Sequence, residues 1–321
     1  MPDRDAALRV LGEDGWRLLV DAGLALDLSG DAGALAAATR LAARRPDAPG
    51  PDRSAALELV TEGQALASKL GVQQRLLAVR GAVEQATPVR VATWHAHQIP
   101  ADSRVLEIGC GCGADSLALG HRAANLIATD VDPVRAACTH MNLMAFGLGS
   151  ARAIPGDGLA ILAEEGRRAD VVFADPDRRP GGRRTLDPEA WEPPLSAILA
   201  LAGGERAVFV KAAPSLDPEA APGCDVAYIS HRGSCLEAFV SYVPEHAADS
   251  TGDAQPVVRA VLLPDDGPSV VLEGDREPWT AGDAGESLYT PDPAAIRASL
   301  LAELGRRHDL QLLSEGVALF S

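Results

Sequence analysis

Lysine is almost missing from this 321-residue chain: Lys69 and Lys211 are the only two, and arginine supplies the rest of its 29 basic side chains. Acidic residues number 45, which leaves a formal net charge of −16. Sequence-independent nucleic-acid binding works by neutralising phosphates, so this balance excludes a broad basic surface and leaves room for a local one. Aromatic residues make up only 4% of the chain, so Leu, Val, Ile and Ala must fill the core. The five cysteines form no CxxC pair, which argues against a zinc site or a disulfide framework. No long apolar span and no N-terminal signal pattern stand out. These absences predict a cytoplasmic protein with no membrane partner and no metal.

What is present changes texture along the chain. Residues 1–85 carry apolar side chains at helical spacing, in Trp16–Val20, Ala34–Arg44 and Ala55–Leu70, with a breaker-rich linker at 46–51. Short apolar runs then alternate with helical stretches, which is the pattern of a parallel sheet with crossovers. Strands are expected near 104–108, 126–130, 151–154, 170–174 and 206–210. Two more, near 225–230 and 236–243, should form an antiparallel hairpin across His231-Arg-Gly-Ser234. From about 246 the chain reads as a hairpin (257–272) and a helix (294–307) opened by Pro291-Asp-Pro293. The expected fold class is α/β: a Rossmann-like, doubly wound sheet in 86–245, a helical domain before it and a small α+β domain after it.

The stretch Val105-Leu-Glu-Ile-Gly-Cys-Gly-Cys-Gly113 joins a short strand to a loop with glycine at every second position. Such a loop lets a ligand lie against bare backbone, and the helix after it offers free N–H groups. Asp130 ends the next apolar run, about 20 residues on, where these folds place a ribose-binding carboxylate. Two nucleoside cofactors compete. Gly109-x-Gly111-x-x-Ala114 also fits the dinucleotide pattern. Three features favour S-adenosyl-L-methionine. Glu107 suits a cationic amino-acid head and would repel a pyrophosphate. Asp157, in Pro155-Gly-Asp-Gly158, can take an adenine amino group. Ala169-Asp-Val-Val-Phe-Ala-Asp-Pro176 is a buried strand ending where open parallel sheets bind their ligands. The candidate cofactor residues are therefore Glu107, Gly109, Gly111, Gly113, Asp115, Asp130, Val131, Asp157 and Gly158. Asp115 has a helix-capping alternative, and Asp132 before Pro133 reads as a cap alone.

The candidate acceptor site follows the fourth strand, at Asp175-Pro-Asp-Arg-Arg179. Amino methyltransferases commonly carry Asp/Asn-Pro-Pro and an aromatic here; in this chain Asp177 and Arg178 occupy the last two places. Asp175 and the Pro176 carbonyl can orient a donor N–H, and Trp191 is the candidate for the missing stacking surface. Arg178, Arg179, Arg183 and Arg184 form a basic group suited to phosphate. The competing reading is a solvated loop paired with Asp177, Asp187 and Glu189. Lys211, ending the fifth strand, is either a site residue or a carboxylate partner.

These residues resemble bacterial class I S-adenosylmethionine-dependent methyltransferases with a THUMP-like C-terminal domain. The resemblance rests on Glu84-Gln-Ala-Thr87 with His95-Ala96, Gly109 to Asp115, Asp130-x-Asp-Pro133, Asp175-Pro-x-Arg-Arg179, Lys211, and Tyr289 to Ala294 with Arg297. It implies a methyltransferase domain over 86–245, a THUMP-like unit, shortened here, over 246–321, catalytic roles for Asp175, Pro176, Arg178, Arg179 and Lys211, and RNA as partner. Asp175-Pro-x-Arg178 also resembles the motif of RNA 5-methyluridine methyltransferases. The cysteine nucleophile those enzymes need is replaced by Lys211-Ala-Ala-Pro214, which leaves Cys235 as the alternative nucleophile for carbon methylation and makes methylation of a base nitrogen in RNA the expectation. A small-molecule or protein acceptor, and a cofactor-binding RNA module without turnover, are the alternatives.

Overall fold

The structure is a computed structural model that describes residues 3–27, 33–165, 168–183, 185–244, 256–274, 276, 282–283, 285–314 and 317–321. It divides into two compact units, Met1–Ala169 and Asp170–Ser321.

The first unit opens with helices Arg4–Leu11, Trp16–Asp27, Gly33–Arg44 and Gly50–Leu70, as the apolar spacing predicts. Alanine and leucine fill their interfaces, with Ala6, Ala22, Leu41, Leu59 and Leu66 closed to solvent. Arg9 pairs with Asp52 at 2.7 Å, tying the first helix to the fourth. Gly71, at φ +65°, ends the long helix in a left-handed cap. Helices Ala82–Gln85 and Val89–Gln98 lead to three parallel strands, β1 (Arg104–Ile108), β2 (Asn125–Asp130) and β3 (Ala151–Pro155), ordered β3-β2-β1. The four residues of β1 after Arg104 are all buried, as expected where both faces of a parallel sheet are covered. The crossover helix Pro133–Ala145 starts where predicted: the Asp132 carboxylate accepts from Val134 N–H at 2.9 Å.

The second unit holds β4 (Val171–Ala174), β5 (Ala207–Ala212), β6 (Asp225–His231) and β7 (Ser234–Tyr242), then β8 (Val258–Leu263) and β9 (Val270–Leu272). β4 and β5 are parallel, and β7 runs antiparallel to both β5 and β6. Arg232 (φ 52°) and Gly233 (φ 73°) make the turn between β6 and β7, both in the left-handed region that a tight two-residue hairpin requires. Three of the chain's five phenylalanines meet on this sheet: Phe209 stacks on Phe239 at 5.7 Å, and Phe173 lies 6.2 Å from Phe239. The hairpin expected near 257–272 is present, and β8 joins the sheet by pairing parallel to β6. The helix predicted over 294–307 is two helices, Pro293–Arg297 and Leu301–His308. The break comes at Ser299, whose φ of 59° leaves the helical region and turns Leu300 fully into the core. The boundary drawn at 245/246 lies outside the described residues.

Candidate active site

The first unit carries the glycine loop. Gly109, Gly111 and Gly113 have φ values of 83°, 56° and 91°, a conformation that side chains rarely adopt. The carbonyl of Thr129 accepts from both Gly109 and Cys110 N–H at 2.9 Å. Asp130 then grips the loop: its Oδ2 accepts from Gly111 N–H and its Oδ1 from Asp132 N–H, each at 2.9 Å. Burial pushes the Asp130 carboxyl above its ordinary 3.8, and those two hydrogen bonds oppose the shift. A carboxylate has about four acceptor sites, so Asp130 keeps capacity for a pair of ribose hydroxyls.

The loop's far side is anchored by residues that sequence reasoning did not single out. Thr139 donates to Gly111 O at 2.9 Å. Asn142 donates to both Cys112 O and Leu77 O at 2.9 Å and accepts from Leu77 N–H at 2.8 Å, clipping the loop to the preceding segment. Their signal was available: Thr139 and Asn142 are polar residues at helical spacing on an otherwise apolar face. Ser116, also buried, donates to Glu107 Oε2 at 2.6 Å and so fixes the carboxylate before the loop.

Three candidate positions have clear local roles. The Asp115 carboxylate, 6% exposed, accepts from Thr87 Oγ at 2.6 Å and meets His95 Nδ1 at 2.9 Å; the N-cap position of its helix, Ala114–Gly120, is held by Gly113. His95 is fully buried with it. Asp157 is exposed and caps the helix Gly158–Glu165 by accepting from Leu159 N–H at 2.8 Å. A Cβ on Gly158 would lie 2.7 Å from Ile108 Cγ1 and 2.8 Å from Thr129 Oγ1, so glycine here is a packing requirement. Val131, in contrast, is 78% exposed, an apolar side chain left to solvent beside Asp130. A Cβ on Gly111 would meet nothing within 4 Å, so the space over the loop is open. Asp130 with acceptor sites to spare, open space at Gly111 and the exposed apolar Val131 fit a nucleoside.

The second unit carries the strand-end residues. Lys211, 5% exposed on β5, reaches Asp175 Oδ2 at 2.6 Å just after β4. Of the two readings of Lys211, the carboxylate partner is the one with a contact in the structure. Pro176 is buried. Asp177 and Glu192 exchange backbone hydrogen bonds at 2.8 and 3.0 Å, which brings the segment around Trp191 alongside the Asp-Pro loop. Trp191 is 1% exposed, so it offers no face for stacking. Arg179 and Arg183 are exposed and Arg178 is half-buried. None of these three makes an ion pair with a described residue; Arg184 lies outside the described residues. Cys235 is half-buried on β7 and burial pushes its thiol up to about 11, which suits no nucleophile.

Among the described residues no group of three or more His, Cys, Asp or Glu could hold a metal ion, and no helix is long and apolar enough to cross a membrane.

No family model matches the chain. An uncharacterized S-adenosylmethionine-dependent methyltransferase of Mycobacterium tuberculosis, found in strains H37Rv and CDC 1551, is 32% identical over 262 residues. That match covers 80% of this chain and 68% of the relative. Among solved structures, a Porphyromonas gingivalis W83 protein described as a candidate methyltransferase superposes with a TM-score of 0.67. It is 19% identical, and the match covers 86% of this chain and 72% of the other. The expected fold class stands: the chain has the Rossmann-like architecture of class I methyltransferases. Its cofactor is S-adenosyl-L-methionine, and the chain belongs to the S-adenosylmethionine-dependent methyltransferases.

Proposed function

We propose that this enzyme methylates a base nitrogen in RNA. The observation that carries the reading is the Asp175-Pro176 strand end, with Lys211 held on Asp175 at 2.6 Å and two exposed arginines, Arg179 and Arg183, in the same loop. When bound, the cofactor supplies an activated methyl group on a sulfonium, so no nucleophile or acid need be provided for it. Glu107, Gly109, Gly111, Gly113, Asp115, Asp130, Val131, Asp157 and Gly158 are the residues assigned to holding it, some directly and some by building the loop. Asp130 takes the ribose, and Glu107, fixed by Ser116, faces the amino-acid head. On the acceptor side Asp175 and the Pro176 carbonyl accept the N–H bonds of an exocyclic amine and aim its lone pair. Lys211 holds the Asp175 carboxylate in that position, and Arg178 and Arg179 take backbone phosphate.

The finer organisation belongs to the same proposal: a helical domain over 1–85, the methyltransferase domain over 86–245, a THUMP-like unit from 246 built around Tyr289–Ala294, and a cytoplasmic setting. Incubating the protein with methyl-labelled cofactor and total RNA tests it; nucleoside mass spectrometry should find a methylated base nitrogen. Label confined to protein or small-molecule fractions would remove RNA as the acceptor. A second reading is supported by the charge of −16: that field attracts a cationic or neutral acceptor more than a polyanion.

A further inference from the structure

The loop after β4 contains two buried hydrogen-bond donors without an acceptor among the described residues. Asp177 and Glu192 form a single antiparallel bridge. Arg178 and Trp191 each adjoin one member of that bridge, so their side chains leave from neighbouring stretches of backbone. The indole Nε1 of Trp191 is buried and the Nη1 of Arg178 is closed to solvent, and neither has an acceptor among the described residues.

Both groups are donors only, so whatever completes them must present an acceptor. The local acids do not reach them: no described carboxylate, Asp177, Asp187 and Glu189 included, accepts a hydrogen bond from either atom. A guanidinium with a buried nitrogen and no counter-charge is costly to keep, and an unmade indole hydrogen bond adds to that cost. The acceptor that relieves both is an anion: one oxygen to the indole, one to the guanidinium. Arginine's planar fork matches a phosphate, and the arginines beside it, Arg179 and Arg183, are also without ion pairs among the described residues.

We propose that Arg178 Nη1 and Trp191 Nε1 form an oxyanion site that takes a phosphate group of the methyl acceptor. Trp191 then contributes an N–H donor instead of a stacking face. Which molecule carries the phosphate rests on the RNA reading above; the site itself does not.

Indole 1H–15N NMR of the full chain tests this, because its four tryptophans give four resonances and Trp191→Phe identifies the relevant one. Inorganic phosphate, added against chloride at matched ionic strength, should shift the Trp191 N–H downfield in a saturable way. Arg178→Gln should weaken that response roughly tenfold or more, as loss of a charged hydrogen bond does, while calorimetry with S-adenosylmethionine confirms that the variant is folded. Arg178→Lys, which keeps the charge without the fork, should fall between the two. An indole resonance unmoved by phosphate, or one that shifts equally in Arg178→Gln, overturns the site. A short RNA oligonucleotide forms the second arm: failure of RNA to bind or be methylated, with the phosphate response intact, counts against the RNA reading and leaves the oxyanion site supported.

Discussion

Replacing Lys211 by methionine should destabilise the second unit, and the structure indicates by how much. The ammonium sits 2.6 Å from Asp175 Oδ2, with the lysine side chain 7% exposed and the aspartate side chain 31% exposed. Breaking a fully buried pair by removing one partner costs about 3–5 kcal/mol, because the other charge stays behind uncompensated. Asp175 retains contact with water, which screens part of that charge. A cost of roughly 2–3 kcal/mol is therefore expected, below the range for a fully buried pair. Methionine replaces most of the apolar stem, so little of the effect comes from lost packing.

In Lys211→Met/Asp175→Asn neither charge remains, so the double variant should be more stable than the two single effects predict, by about 1–2 kcal/mol. Urea unfolding followed by tryptophan fluorescence measures all four corners of the cycle, with Trp191 as a buried reporter in the same unit. S-adenosylmethionine affinity should stay within about twofold throughout, since the residues assigned to the cofactor belong to the first unit. Additivity within about 0.5 kcal/mol would show that the two side chains act independently, and the positioning role given to Lys211 would fall with it.

Other expectations follow from single contacts. Asp130→Ala should weaken cofactor binding roughly 10- to 100-fold by calorimetry, the worth of hydrogen bonds to a charged acceptor. In the native chain burial raises the Asp130 carboxyl above 3.8, so affinity should fall as pH drops through that raised value, above the range of an ordinary aspartate. The linked effect on the ligand-free fold has the opposite direction: this group's contribution is fully present below 3.8 and is lost as pH rises through the folded value. A pH titration of binding and of thermal stability reads both, and parallel curves would refute the assignment. Gly158→Ala drives a methyl against Ile108 and Thr129, so a loss of about 1–3 kcal/mol is expected in thermal unfolding; an unchanged midpoint would mean that β1 and β2 yield freely. Thr87→Val removes one of the donors on buried Asp115, at a cost of about 1–3 kcal/mol in thermal unfolding. Cys235, with its thiol at about 11, should resist iodoacetamide at neutral pH in the folded chain and react once urea unfolds it.

The fold was legible because its signals are local and repeated. Buried parallel strands read as unbroken apolar runs, and each predicted strand from 104 to 243 lies within a few residues of β1–β7. The helix after Pro291 was misjudged because its interruption is not written in glycine or proline. Nothing about Ser299 announces a φ of 59°; Leu300 enters the core there, and tertiary packing decides the break.

The candidate site was legible in its backbone requirements and much less so in its polar contacts. Glycines at 109, 111 and 113 mark left-handed turns, and any chain that needs such turns must show them. The partner of a buried carboxylate leaves no comparable mark. Asp115 looked like a helix cap or a ligand contact, and its hydrogen bonds go to Thr87 and His95, 28 and 20 residues earlier. Trp191 shows the same limit from the other side. The gap in the motif makes it the candidate for stacking, whereas the structure encloses its rings and leaves its N–H without an acceptor among the described residues. An unsatisfied donor appears only when every possible acceptor has been placed in space. That is why the Asp-Pro motif could point to the loop, while the atoms that distinguish an anion from a bare aromatic ring had to come from the fold.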